Sequence, residues 1–304
     1  MTGPHTRGIL EMTAAMVVSG TIGWFVVTSG EPPVDVVFWR CLFALPALVA
    51  ICLAGGHLRV SLLDRRKLML AVGGGVALVL NWLALFSAYP LASISVATIV
   101  YNVQPFLLVG LGLAFLNEPI SRDRLAWLAV AFAGTAVMTL GGAQIGSPTG
   151  AGGYLLGIFL SLAAAFFYAL AALAARKLRG TPPQLIALIQ VATGVLMLAP
   201  LADWDTLPTG LGTWSVLVTL GFVHTGLMYA LLYGAIQKLP VALTGTLSFL
   251  YPVVAVAVDL FAFGHVLTLT QAIGGGAILF AAIATTLNWS PFQLKTPAAP
   301  GDRP

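Results

Sequence analysis

Apolar stretches bounded by charged residues, proline or glycine clusters recur ten times along the chain, near 8–29, 34–54, 68–88, 93–116, 123–141, 150–175, 184–203, 213–237, 242–262 and 266–288. A bilayer-spanning helix needs about 20 such residues, so the pattern predicts an all-α integral membrane protein of ten transmembrane helices. Composition agrees: of 304 residues, 59% are hydrophobic and 8% charged, and the mean hydropathy is +0.98. About a quarter of the residues of a soluble globule are charged, which excludes that class and leaves no length for an appreciable soluble domain. The first apolar run follows a single arginine, Arg7, with no small-residue cleavage site after it, so it reads as a retained helix and not a signal peptide. Residues 289–304, with Pro291, Pro297, Pro300 and Pro304, read as a disordered cytoplasmic tail.

The net charge of +4 matters less than where the basic residues fall. With the N-terminus inside, 13 of the 14 lysines and arginines lie on the cytoplasmic side, while Glu31, Asp35, Asp203 and Asp205 occupy the opposite loops. That bias predicts an inner (plasma) membrane protein with both termini cytoplasmic. The remaining one, Arg40, falls within the second span. Cys41 and Cys52 share that same apolar segment, where neither disulfide nor metal chemistry is expected.

The chain also repeats itself. At a constant offset of 147 residues, Trp82 meets Tyr229, Phe86 meets Tyr233, Ala88 meets Ala235 and Pro105 meets Pro252. Gln104 then aligns with Tyr251 and Glu118 with His265, so architecture is kept while chemistry changes. The halves are 8–141 and 150–288. Each holds five helices, an odd number, so the second enters the membrane from the opposite face. Inverted repeats of this kind allow two access states around a site near the midplane.

Short motifs carry a family resemblance over nearly the whole chain: Phe38-Trp39-Arg40 in span 2, Gln104-Pro105 and Asn117-Glu118-Pro119 in span 4, and Tyr251-Pro252 in span 9. Their order and spacing resemble the ten-helix, paired EamA-type branch of the drug/metabolite transporter superfamily, and within it the bacterial exporters of aromatic and neutral amino acids. The resemblance implies a basket of helices around a central cavity lined by spans 1, 3, 4, 6, 8 and 9, without ATP or any cofactor. His265 in place of a second Glu118 departs from any scheme that needs both carboxylates.

The candidate site residues follow from polarity at depth. A proline within a helix removes one backbone hydrogen bond and kinks it, so Pro105 and Pro252 are the candidate hinges, freeing the carbonyls of Tyr101 and Ser248. Tyr101, Gln104 and Pro105 share one face. Trp82 and Tyr229 are the deeper members of two aromatic pairs, with Asn81 beside Trp82. Trp24 lies in a stripe of Thr13, Gly20, Thr21, Trp24 and Thr28 on span 1, Tyr168 lies on span 6 and Tyr251 on span 9. Substrate contacts are expected from Trp82, Tyr101, Gln104, Trp24, Tyr168, Tyr229, Tyr251 and Asn81, though small polar and aromatic residues also serve plain packing. Intramembrane charges are functional candidates by default. Arg40 and Asp259 lie at similar depth from the outer side and could form an outer gate, a structural pair or a snorkelling arginine, and Glu118 is a candidate inner gate. His224 is the candidate proton site, yet it stands about 140° around an ideal helix from Tyr229, which favours a neutral histidine bonded to a backbone carbonyl.

The function that results is a secondary transporter exporting neutral and aromatic amino acids by alternating access. An aromatic cavity would also suit nucleosides or organic cations. An intramembrane enzyme would require clustered carboxylates, a metal pair or a nucleophile beside a base, and no such spacing occurs. A lipid scramblase or passive pore remains compatible with composition alone. The expected partners are a small-molecule substrate and the lipid bilayer, with no nucleic acid and no metal.

Overall fold

A computed structural model describes residues 3–58, 63–92, 94–117, 120–140, 150–263 and 268–290. In the first half the helices are α1 (Pro4–Ser29), α2 (Pro33–Ala54), α3 (Arg65–Ala92), α4 (Ile94–Tyr101), α5 (Gln104–Leu116) and α6 (Arg122–Leu140). The second half contains α7 (Gly150–Lys177), α8 (Pro183–Leu198), α9 (Leu211–Gly221), a π-helical turn (Phe222–Leu227), α10 (Met228–Lys238), α11 (Val241–Ser248), α12 (Leu250–Phe263) and α13 (Leu269–Thr286). Taking α4 with α5, α9 through α10, and α11 with α12 as single passes gives ten spans. Among the described residues there is no strand.

Local chemistry sets the ends. Pro4, Pro33 and Pro183 stand in the first turns of α1, α2 and α8, where a missing N–H has no helix partner to lose and φ is already helical. Gly30 closes α1 at φ +68, the left-handed conformation that a side chain would disfavour. Pro4–Ser29, Pro33–Ala54, Arg65–Ala92, Gly152–Lys177 and Leu211–Lys238 are each long and apolar enough to cross a membrane unaided. Of the other helices, α4, α5, α8, α11 and α12 pack against those five, while α6 and α13 pack on each other. Outward-facing Leu155, Phe159 and Leu196 are exposed, the arrangement for a bundle whose surroundings are hydrocarbon.

The offset of 147 seen in the sequence maps α1 onto α7, α2 onto α8, α3 onto α9–α10, α4 onto α11, α5 onto α12 and α6 onto α13. Two of these mates pack directly on each other, α2 on α8 and α6 on α13. The correspondence reaches single contacts. A Cβ on Gly74 would lie 2.5 Å from Gln190 Nε2, and one on Gly221 would lie 2.3 Å from Phe43 Cβ, which is the same joint seen from each half. Likewise Gly194 meets Val79, and Gly226 meets Ala47, at about one methyl contact. A pseudo-two-fold axis therefore runs between the halves, which form two inverted five-helix repeats.

Two local expectations need correction. Spans 4 and 9 were each expected as one proline-kinked helix, but both are interrupted outright, at Asn102–Val103 and at Phe249. Pro105 offers no N–H, and the helix restarts when the Phe106 and Leu107 N–H groups both bond to Val103 O, at 3.0 and 3.2 Å. Span 8, expected as a regular helix, widens into the π-turn. There Thr225 Oγ1 donates to Leu220 O at 2.8 Å, and His224 Nδ1 faces Thr219 O at 3.3 Å, each five residues back along the chain.

Candidate functional site

The axis passes where Trp82 and Tyr229 meet. These repeat-related residues touch each other: Trp82 Nε1 donates to Tyr229 Oη at 3.1 Å, with the rings edge-to-face at 5.4 Å. Tyr229 packs edge-on against Tyr233 at 5.4 Å, and Tyr233 donates to Gln190 Oε1. An aromatic column thus connects α3, α10 and α8 through the middle of the bundle.

Arg40 of α2 lies over this column. It is fully buried, its guanidinium 4.1 Å from the Trp82 ring centre and 5.8 Å from that of Phe86. Its Nε donates to Thr225 Oγ1 at 3.0 Å and its Nη2 to the His224 carbonyl at 3.4 Å. Both acceptors belong to the π-turn. A widened turn exposes carbonyls that a regular helix keeps for itself, and such turns cluster at functional sites. Arginine stays protonated in proteins, so this is a permanent charge inside the bilayer region, where burial without compensation costs several kcal/mol. The Trp82 face returns about 2 kcal/mol or more as a desolvated cation–π contact. Arg40 Nη1 has no hydrogen-bond partner, and among the described residues no carboxylate forms an ion pair with Arg40. It does not snorkel to an interface. The side chain of Asp259, its expected counter-charge, lies outside the described residues, as does Glu118.

Around this cation the structure gathers tyrosines. Asn81 Nδ2 donates to Ala164 O at 2.9 Å and to Tyr101 Oη at 3.3 Å, tying α3 to α7 and α4. Tyr101 packs edge-on with Tyr168 at 6.2 Å, and both are half-buried, as are Tyr89 and Tyr251. Tyr229 is bonded to the indole beneath Arg40, and Tyr101 is linked to the same stretch of α3 through Asn81. Gln104, in the first turn of α5, is buried with its Oε1 unpartnered, and the amide of neighbouring Asn102 faces Tyr251 without reaching hydrogen-bond geometry. Of the expected contacts, Trp82 pairs with Tyr229, and Asn81, next to Trp82 in the chain, is joined through Tyr101 to Tyr168. Trp24 stands apart, exposed and edge-on to Phe25.

His224 is held away from the tyrosines. Its ring lies 4.6 Å from Phe25, and its Nε2 is 2.6 Å from Thr21 Oγ1 of α1. Thr21 Oγ1 donates its one proton to Val18 O at 2.8 Å, so in the short contact the ring donates from Nε2 to Thr21, and the Nδ1 contact with Thr219 O is the weaker of the two.

Where α1 begins, the bundle is closed by polar contacts. Glu11 pairs with Arg7 at 2.9 Å and with Lys238 across to α10. Arg176 of α7 donates to the carbonyls of Ile236 and Leu239, Arg179 Nε to Gln237 O at 2.6 Å, and Gln237 returns a bond to Thr181 O at 3.1 Å. The sequence reading missed this latch, along with Thr225 and Gln190. Only the clustering of basic residues hinted at it, because Glu11 and Lys238 are 227 positions apart.

Two five-span repeats related by an inverting axis, with aromatic and polar side chains concentrated on that axis, define a multi-pass membrane transporter. The chain belongs to the EamA-like transporter family, whose pattern it matches twice, over residues 6–140 and 155–287. Members of this family are transporters and not enzymes. The chain is 29% identical to the uncharacterized transporter YxxF of Bacillus subtilis (strain 168), over 93% of this chain and 90% of that one. It is 26% identical to an uncharacterized transporter of Archaeoglobus fulgidus, over 90% and 93% of the two chains. A solved crystal structure shares the fold, with a TM-score of 0.79 at 22% identity, covering 93% of this chain and 98% of the other.

Proposed function

We infer that this transporter is a secondary exporter of neutral and aromatic amino acids, working by alternating access across an inner membrane with both termini cytoplasmic. The observation that carries the reading is the pairing of Trp82 with its own repeat mate Tyr229 beside the buried Arg40. Aromatic faces suit an apolar side chain, and hydroxyls, amides and one guanidinium suit a zwitterion's polar end. Trp82, Tyr101, Gln104, Tyr168, Tyr229, Tyr251 and Asn81 form the substrate site in this reading, with Trp24 at its margin. The breaks beside Pro105 and Pro252 serve as hinges. The Glu11–Lys238 latch closes the cytoplasmic end and must part for cargo to enter. A buried cation that pairs with no carboxylate among the described residues disfavours organic cations as cargo.

Counterflow in proteoliposomes tests this. Vesicles preloaded with unlabelled neutral amino acids are expected to accumulate the labelled compound transiently and saturably. Silence with every amino acid, alongside a signal with nucleosides, would remove the cargo assignment; leakage without saturation would point to a pore.

A further inference from the structure

We propose that Arg40 is the anion anchor of the transport site and takes the carboxylate of the cargo on its unpaired Nη1. This rests on the transport reading above and adds the chemical group that the site must recognise.

The donors and acceptors around Arg40 do not balance. Two of its nitrogens are engaged by Thr225 and the His224 carbonyl, while Nη1 is buried with nothing to accept from it. Tyr229 Oη already accepts from Trp82 Nε1, an indole group that can only donate, so the hydroxyl keeps its own proton to give. Tyr101 Oη likewise accepts from the Asn81 amide, and its proton is left to give. Tyr229 Oη is bonded to the indole that Arg40 covers, and Tyr101 Oη to Asn81, the residue before that tryptophan. The free donors of Arg40 and Tyr229 therefore flank one indole, with that of Tyr101 tied in through Asn81. A buried polar group without a partner is expensive, and the molecule that fills this place must bring acceptors.

Charge narrows the class. Arg40 contributes one positive charge, and among the described residues no carboxylate neutralises it. A monoanion cancels that charge, whereas a phosphate dianion would leave one buried negative charge uncompensated. A carboxylate has two oxygens and about four lone-pair positions, enough for the guanidinium and both hydroxyls together. The Trp82 face holds the guanidinium from the other side, so the anchor is fixed before cargo arrives.

The test is thermal unfolding of the full chain in detergent with four probes: L-phenylalanine, phenylacetate, 2-phenylethylamine and inorganic phosphate. The two carboxylates are expected to raise the melting temperature, and the amine and phosphate to leave it unchanged. Arg40→Gln is expected to weaken carboxylate binding by about 10- to 100-fold, the range of a hydrogen bond to a charged group. Should that variant not fold, the wild-type probe series still decides. A response to 2-phenylethylamine equal to that of phenylacetate, or to phosphate alone, or to neither carboxylate, overturns the anchor. The two readings fail separately. Phenylacetate without phenylalanine removes the amino-acid cargo and keeps the anchor, while phenylalanine matched by the amine keeps the cargo and removes the anchor.

Discussion

In the first repeat Gly74 lets α8 approach α3 through Gln190, and at the same joint of the second repeat Gly221 lets α2 approach α9 through Phe43. The backbones agree, yet one joint carries an amide and the other a ring. The ends of the bundle differ in the same manner. Glu11 and Lys238 tie α1 to α10, while their repeat mates, Ile158 and Leu91, are both apolar. Arg40 corresponds to Ala187, and the π-turn residues His224 and Thr225 to Ala77 and Leu78. Glycine and small-residue contacts hold the shared architecture, and divergence at single side chains gives each face its own chemistry.

The joints offer the strongest way to break this comparison. Overpacking a core costs about 1–3 kcal/mol, and replacing a helical glycine by alanine recovers about 1 kcal/mol. Gly221→Ala meets the Phe43 β-carbon and backbone, which cannot yield, so a net loss of about 2 kcal/mol is expected. Gly74→Ala meets the end of the Gln190 side chain and, at 3.0 Å, the Ala174 β-carbon, and should cost less than Gly221→Ala because the amide can shift. Equal losses of thermal stability in the two variants would mean that the joints are mechanically alike.

On the axis, Tyr229→Phe leaves the buried Trp82 N–H without its acceptor, and a loss of about 1–2 kcal/mol is expected on denaturation. Adding Trp82→Phe should cost little more in hydrogen bonding, because the pair is already broken. Additive losses in the double-mutant cycle would show that the two residues act independently.

At the ends, Glu11→Gln removes a half-buried ion pair of about 1 kcal/mol. Thiol labelling of Thr181→Cys, buried beside the latch, should then quicken by about fivefold. Transplanting the latch with Ile158→Glu and Leu91→Lys should close the opposite end and slow counterflow. Unchanged labelling and unchanged flux would reduce these charges to surface decoration.

The smallest effect is expected in the loop between α8 and α9. Asp203 there corresponds to Gly56, which turns at φ +64 in the first repeat. The hydroxyl of Thr206, its N–H and the N–H of Asp205 hold the Asp203 carboxyl below the ordinary carboxylate range. Its contribution to stability is therefore present above the unfolded value of about 4 and lost as pH falls through the lower folded value. Melting curves of wild type and Asp203→Asn should differ slightly at pH 7 and converge in acid. A gap that stays constant as the pH is lowered to the acid limit would contradict this.

Much of the fold was legible because membrane burial writes itself into composition and spacing. The ten apolar runs located the ten spans, and the offset of 147, read across spans 3 and 4, already paired Trp82 with Tyr229. The environment of Arg40 was not legible. It depends on an extra residue in the π-turn of a helix 185 positions away, and hydropathy carries no trace of that phase shift. The expected helix kinks became breaks for a related reason: backbone hydrogen bonds around Val103 decide them, not proline alone.

The bond between Trp82 and Tyr229 also bears on descent. In a two-fold pair of identical chains, a residue on the axis faces its own copy. Two indoles would bring two donors and no acceptor, so a homodimer with tryptophan there could not close this contact. Two tyrosines could bond, though without the donor-only partner that leaves the second hydroxyl proton free. The asymmetric pair became available only once the two halves could differ in sequence. Divergence of the halves thus permitted a hydrogen bond that identity forbids, and with it a directed donor at the centre of the molecule.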